Sequence, residues 1–162
     1  MTHAMRRSDC AITDRETIDA ILSAGRFTTI ALCDADEPYA VTLSYGYDAT
    51  RNRLCFHVAK AGRKLDIIAV NPRACATVID DLGYLHGECA HPFRSVVMTG
   101  RMRLLDDPDD IRAAMRTLIG QLESEEDSAA VFEQNKLDTD AGLQRFRALV
   151  FEIEDVSAKQ DQ

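Results

Sequence analysis

The chain has 162 residues, 46% hydrophobic and 28% charged, with a formal net charge of −8. This is ordinary globular composition for a single domain with a core of its own. The acidic balance argues against nucleic acid, whose binding rests on neutralising phosphates. No apolar run reaches bilayer-spanning length, so neither a membrane anchor nor a signal peptide is expected. Cys10, Cys33, Cys55, Cys75 and Cys89 are odd in number and scattered; they read as reduced core thiols of a cytoplasmic protein.

Acid is unevenly placed. Eleven Asp and Glu against three Arg and Lys lie between Asp106 and Asp140, and the rest of the chain balances at sixteen of each. A small anionic ligand on that remainder is not repelled.

In chain order, Thr13-Asp14-Arg15-Glu16 has capping-box spacing, and Ile18, Ile21 and Leu22 follow at helical spacing until Gly25. Three alternating runs, 26–33, 39–47 and 53–58, are joined by connections too short for crossovers, which predicts an antiparallel meander. A helix is expected over 63–70 and a fourth strand over 73–79. Residues 80–92 read as a loop. A long fifth strand covers 94–105, with a bulge at Gly100. Asp106 to Asp110 opens a helix whose buried stripe is Ile111, Met115, Leu118, Ile119 and Leu122. Ser124 to Asp127 breaks it, a short segment around Val131 and Phe132 follows, and 145–156 is the last strand. The pattern predicts one mainly β domain over 1–162: six antiparallel strands in a small closed barrel, a flexible 1–10 and a tail at 157–162.

Residues 54–72 carry the strongest functional signal. A strand ending at Val58 hands over through a small-residue turn to Gly62-Arg63-Lys64, which opens the 63–70 helix. A glycine and two cations at a helix start suit a phosphate group, because unpaired N–H groups and the positive dipole end face it. A solvated basic turn is the other reading of the same residues. His57, on the same strand end, reads either as a hydrogen-bonded rim histidine or as a ligand contact able to move a proton. His86, Cys89 and His91 form a cramped H-x-x-C-x-H loop without an obvious fourth ligand, so no metal is assigned.

With these pieces in place, the chain resembles the pyridoxamine 5'-phosphate oxidase-like, FMN-binding split barrels, nearest the nitroimidazole-resistance branch. The matching stretches are 12–16, 39–47, 56–65, 71–73 and 93–97, in family order. The resemblance implies a homodimer with a flavin at each subunit boundary. It implies contacts from Val41, Thr42, Leu43 and Ser44 beside the ring, from His57 and Val58 at the end of the third strand, from Arg63 and Lys64 to the phosphate, and from Arg94 and Ser95 of the second copy. It further implies FMN, with FAD as an alternative, NAD(P)H as a transient donor, and a small acceptor such as a nitro-aromatic. The chain departs from the vitamin-oxidase branch near its C-terminus, where Arg145 and Arg147 are the only candidates for that branch's substrate-phosphate residues. The competing class is a flavin, heme or B6-vitamer binding protein without turnover.

Overall fold

A computed structural model of the chain describes residues 5–161. Its strands are β1 (Ala11–Ile12), β2 (Phe27–Asp34), β3 (Glu37–Ser44), β4 (Gly46–Asp48), β5 (Arg53–Val58), β6 (Arg73–Asp81), β7 (Phe93–Leu104) and β8 (Arg147–Asp161). The helices are α1 (Arg15–Ala24), α2 (Arg63–Val70), α3 (Pro108–Leu122), α4 (Glu125–Gln134) and α5 (Asp140–Leu143), with a 3-10 turn at Ser8–Cys10. All strand pairs are antiparallel, and the sheet runs β3-β2-β6-β7-β8-β5-β4 with β1 added to β8.

The mainly β split-barrel architecture is as expected, but among the described residues there are eight strands, and the ladder does not close. The predicted strand 39–47 breaks at Tyr45 into β3 and β4, which stand at opposite ends of the sheet. Two contacts make that corner. Tyr45 is fully buried, and its hydroxyl donates to the Leu22 carbonyl at the end of α1, 2.7 Å away. Gly46 lies under the α3 backbone: a Cβ there would stand 2.4 Å from the Leu118 Cα. The side chain of Gln121 ties the three elements together, accepting from Tyr47 N–H and donating to the carbonyls of Leu22 and Gly25.

Other boundaries shift for local reasons. Asp14 rather than Thr13 caps α1, accepting from the Thr17 N–H at 2.8 Å. The break after α3 is narrower than expected because Ser124 caps α4 at once, and α5 is an additional turn. The expected tail at 157–162 is instead paired strand as far as Asp161, opposite β7, while Gln162 lies outside the described residues. Of the expected flexible leader, residues 1–4 lie outside the described residues, and Ser8–Cys10 forms the 3-10 turn before β1. The bulge falls at Thr99/Gly100, where a Cβ on Gly100 would sit 2.0 Å from the Glu152 carbonyl oxygen.

Alternation sorts the side chains into two layers. Ile30, Leu54, Phe56, Val96, Met98 and Phe151 point inward with Ile21 and Leu22 of α1 and Leu65 and Ile68 of α2, forming the main core. The outward face of β5 and the start of β8 is covered by α3, burying Cys55, Ala114 and Val150. The outward face of β3, β2, β6 and β7 carries Thr42, Thr29, Thr77 and Val97 across consecutive registers, and Phe27 and Ile79 nearby are 62% and 63% exposed.

Candidate functional site

The β4–β5 ladder pairs Asp48 with Arg53, Tyr47 with Leu54 and Gly46 with Cys55, then stops. Two residues on, Ser44 pairs with Phe27 of β2, while His57 pairs with Ala148 of β8. The two strands therefore fork. One arm is β3, whose second edge forms no ladder among the described residues. The other is the end of β5 and the start of α2. The fork thus draws most of the sequence-predicted site onto one feature: Val41 to Ser44 on one arm, and His57, Val58, Arg63 and Lys64 on the other.

Their side chains divide by strand alternation. Val41 and Leu43 turn inward and pack against the core, so only their backbone faces the fork edge. Thr42 and Ser44 are exposed, and Thr42 Oγ1 lies 3.0 Å from Thr29 Oγ1. Val58 is buried, whereas His57 is the one exposed residue of β5.

Arg63 spans the fork. Its guanidinium lies 3.0 Å from the Glu37 carboxylate and 4.0 Å from Asp34, and it stacks 4.9 Å above the ring of Tyr39. The hydrogen bond to Glu37 raises the Arg63 pKa further, keeping the cation firmly charged. Gly62 caps α2 at φ +136°, a conformation that disfavours side chains, and no side chain caps the helix. A Cβ at Gly62 would meet nothing within 4 Å, so there is open space beside the helix start. Tyr39, Glu37 and Asp34 were missed from sequence because nothing local links them to a helix 24 or more residues later.

His57 sits at the wall of a cavity of ≈400 Å³. Its ring meets Phe146 edge-on at 5.6 Å, and the walls come from Leu118, Ile119, Val131 and Leu137, with Glu123 and Arg145 as charged groups. The α3 stripe read as core thus also lines this cavity. Phe146 had no sequence signal beyond an apolar residue at the start of the expected last strand.

The remaining candidates lie apart. Arg94 is bound to Asp80 across β6–β7, its Nε 2.8 Å from the carboxylate, and Ser95 is buried beside it. In the 82–92 loop, His91 pairs with Asp81 at 2.8 Å while the rings of His86 and His91 flank Tyr84. Among the described residues no group of three or more His, Cys, Asp or Glu is gathered to hold a metal. All five cysteines are free. Only Cys55 is a fully buried thiol, pushed up to about 11 by burial; Cys89 is exposed, against the expectation of uniform core placement. Among the described residues no helix is long and apolar enough to cross a membrane.

A forked antiparallel barrel with an uncapped helix start across the gap defines a split-barrel protein. The chain belongs to the pyridoxamine 5'-phosphate oxidase family, whose model matches residues 14–160. It is similar in structure to the flavocytochrome Anf3 from Azotobacter vinelandii (TM-score 0.78, 21% identity, 99% of this chain and 73% of that one). A candidate 5-nitroimidazole antibiotic resistance protein from Bacteroides thetaiotaomicron matches at TM-score 0.73 and 15% identity over 99% of this chain and 100% of that one. An FAD and heme binding protein from Mycobacterium smegmatis matches at TM-score 0.73 and 19% identity over 94% of this chain and 73% of that one. In sequence, an uncharacterised protein of Rhizobium meliloti is 30% identical over 95 residues, 58% of this chain; the chain spans only 56% of that relative's length.

Proposed function

We propose that the protein binds FMN in the fork and acts as a flavin-dependent oxidoreductase on a small acceptor such as a nitro-aromatic. The observation that carries this reading is the fork itself, which opens an unpaired strand edge opposite an uncapped helix start bearing Arg63 and Lys64. The residues fit the group. Open space at Gly62 admits a phosphate against the α2 N–H groups, with Arg63 and Lys64 as its cations. The backbone of Val41 to Ser44 offers N–H and C=O groups to a ring edge, which apolar side chains alone would not. FAD uses the same corner with its second phosphate and nucleoside projecting beyond it.

A bound flavin supplies the redox chemistry, drawing electrons from NADH or NADPH. The chain's own work is placement. Arg63 and Lys64 fix one end, β3 fixes the ring plane, and His57, at a cavity with largely apolar walls, offers a ring nitrogen to protonate the reduced acceptor. The patch of Thr42, Thr29, Thr77 and Val97 with Phe27 and Ile79, bordered by Arg73, Asp81 and Arg101, supports a second copy docking there, in a cytoplasmic homodimer.

The absorption spectrum of the purified protein tests the proposal. Bands near about 375 and 450 nm, bleached by NADH or NADPH under anaerobic conditions and restored by a nitro compound, are expected. A colourless protein that takes up no FMN overturns it. Bound flavin that never turns over assigns a carrier instead, and a band near about 410 nm assigns heme.

A further inference from the structure

The cavity beside His57 has two charged groups on its otherwise largely apolar wall, Glu123 and Arg145. Glu123 follows the last residue of α3, its N–H bonded to the Ile119 carbonyl. Arg145 stands just before β8, its N–H bonded to the Gly142 carbonyl. Only their backbones are engaged. Neither side chain has an ion-pair or hydrogen-bond partner among the described residues, so two opposite charges border one space without touching. By contrast, Arg112 on the same helix is held by both Asp109 and Asp140. Asn135, also on the wall, donates its side-chain N–H to the Val131 carbonyl at 2.9 Å. The Leu122 end of the cavity abuts the base of the fork. Arg26, outside the cavity lining, donates to the Leu122 carbonyl at 3.4 Å, and its own carbonyl accepts from the Tyr45 N–H, where β3 gives way to β4.

We propose that Glu123 and Arg145 together select a neutral, polarised ring, one with an N–H donor for the carboxylate and a nitro-type oxygen for the guanidinium. This rests on reading the His57 cavity as the acceptor's place and narrows the acceptor to that class. A net anion drawn to Arg145 is repelled by Glu123, and a net cation drawn to Glu123 is repelled by Arg145. Either also loses hydration against the apolar walls. A neutral molecule with donor and acceptor at separate points gains a charge-assisted hydrogen bond from each group and meets no such repulsion. An ionised carboxylate only accepts and a guanidinium only donates, so the two ends of the ligand cannot exchange places. The oxygen end is thereby held beside Phe146, the residue whose ring meets His57 at 5.6 Å. Apolar walls with a few polar groups suit a single substituted ring in the ≈400 Å³ space.

The test is calorimetric titration of the purified protein with 4-nitroaniline, N,N-dimethyl-4-nitroaniline (no N–H), aniline (no nitro group) and anionic 4-nitrobenzoate, repeated on Glu123→Met and Arg145→Met. Both replaced residues are exposed, and Arg145→Lys serves as the charge-conserving control. Glu123→Met is expected to weaken 4-nitroaniline about fivefold, leave the dimethyl compound unchanged and tighten the benzoate. Arg145→Met is expected to weaken both nitroanilines about fivefold and leave aniline unchanged, while the lysine variant keeps most of the affinity. Variants that leave the 4-nitroaniline Kd unmoved, or that shift all four probes alike, overturn the proposal. So does tighter binding of the benzoate than of 4-nitroaniline by the native protein. If the probes bind without this pattern and the nitro compounds still reoxidise reduced flavin, only the Glu123 and Arg145 assignment falls. If none binds, the acceptor reading of the His57 cavity falls with it. The expected pattern in a protein that takes up no flavin supports this site and removes the oxidoreductase reading.

Discussion

Arg63 and Glu37 face each other across the fork at 3.0 Å, so the cation best placed for a phosphate already holds a carboxylate of its own chain. A phosphate arriving there competes with Glu37 and is repelled by Asp34. Glu37→Gln is therefore expected to tighten FMN binding by roughly threefold or more, since exposed ion pairs are individually weak. Arg63→Ala is expected to weaken it by about tenfold through lost charge-assisted hydrogen bonds. Flavin fluorescence quenching reads both constants. If neither substitution moves the constant, the phosphate does not sit at this corner.

His57 separates chemistry from cofactor uptake. Its ring touches Phe146 and the cavity rather than the Arg63 corner. His57→Ala should leave flavin content unchanged and lower nitro-compound turnover by about a hundredfold, the scale of general acid–base assistance. Unaltered steady-state turnover in the variant would remove the proton-transfer role.

Gly46 is where α3 touches the sheet most closely. An alanine methyl at 2.4 Å from the Leu118 Cα forces the helix outward. Gly46→Ala should cost about 1–3 kcal/mol of stability, as overpacking does. Gly120, on the same helix with nothing within 4 Å of its Cβ position, is the control; Gly120→Ala should raise stability by up to about 1 kcal/mol. Thermal denaturation of the pair distinguishes crowding from a general intolerance of α3 to substitution.

Asp48 and Arg53 form a buried pair at 3.2 Å, both less than a tenth exposed. Burial alone would raise the Asp48 pKa, but hydrogen bonds from Thr50, the Arg51 N–H and the two arginines outweigh it and hold the carboxyl below its ordinary 3.8. A depressed carboxylate pKa gives stability that is complete above the unfolded value and fades as pH falls through the folded one. Asp48→Asn leaves Arg53 buried without its counter-charge and should cost about 3 kcal/mol at neutral pH. Denaturant titrations should show the gap to wild type narrowing below pH 3.8. A gap constant from neutral pH down into acid contradicts the pairing.

The Thr29, Thr77 and Val97 patch of the outward sheet face makes a prediction about mass. Val97→Arg places a cation among Thr77, Thr29 and their neighbours without touching the core. Sedimentation should give twice the 18.0 kDa chain mass for wild type and the single-chain mass for the variant. A wild-type protein that already sediments as one chain shows the face to be uncovered.

Most of the barrel was legible because each strand writes its own alternation. β2, β5, β6 and β7 fall within a residue or two of their expected spans, α2 matches at both ends, and the bulge sits at Gly100. The corner at Tyr45 was not legible. The apolar alternation runs through 39–47 without a break, and the cause is a helix some seventy residues later pressing on Gly46. The expected last strand ends early because Ser157 to Asp161 is mostly polar and, Ala158 apart, is held by pairing with β7. Within the site, Gly62-Arg63-Lys64 announced itself as a local cluster. Its carboxylate partners and the Phe146 wall did not, since they come from distant segments that only the fold brings near.

A strand margin left bare carries a liability as well as an opportunity. Residues 39–44 offer a ready template to any extended chain that drifts alongside, with Pro38 guarding only one end by its missing donor. Whatever occupies that margin therefore also acts as a stopper against self-templated fibre growth. Preparations stripped of it should cloud first.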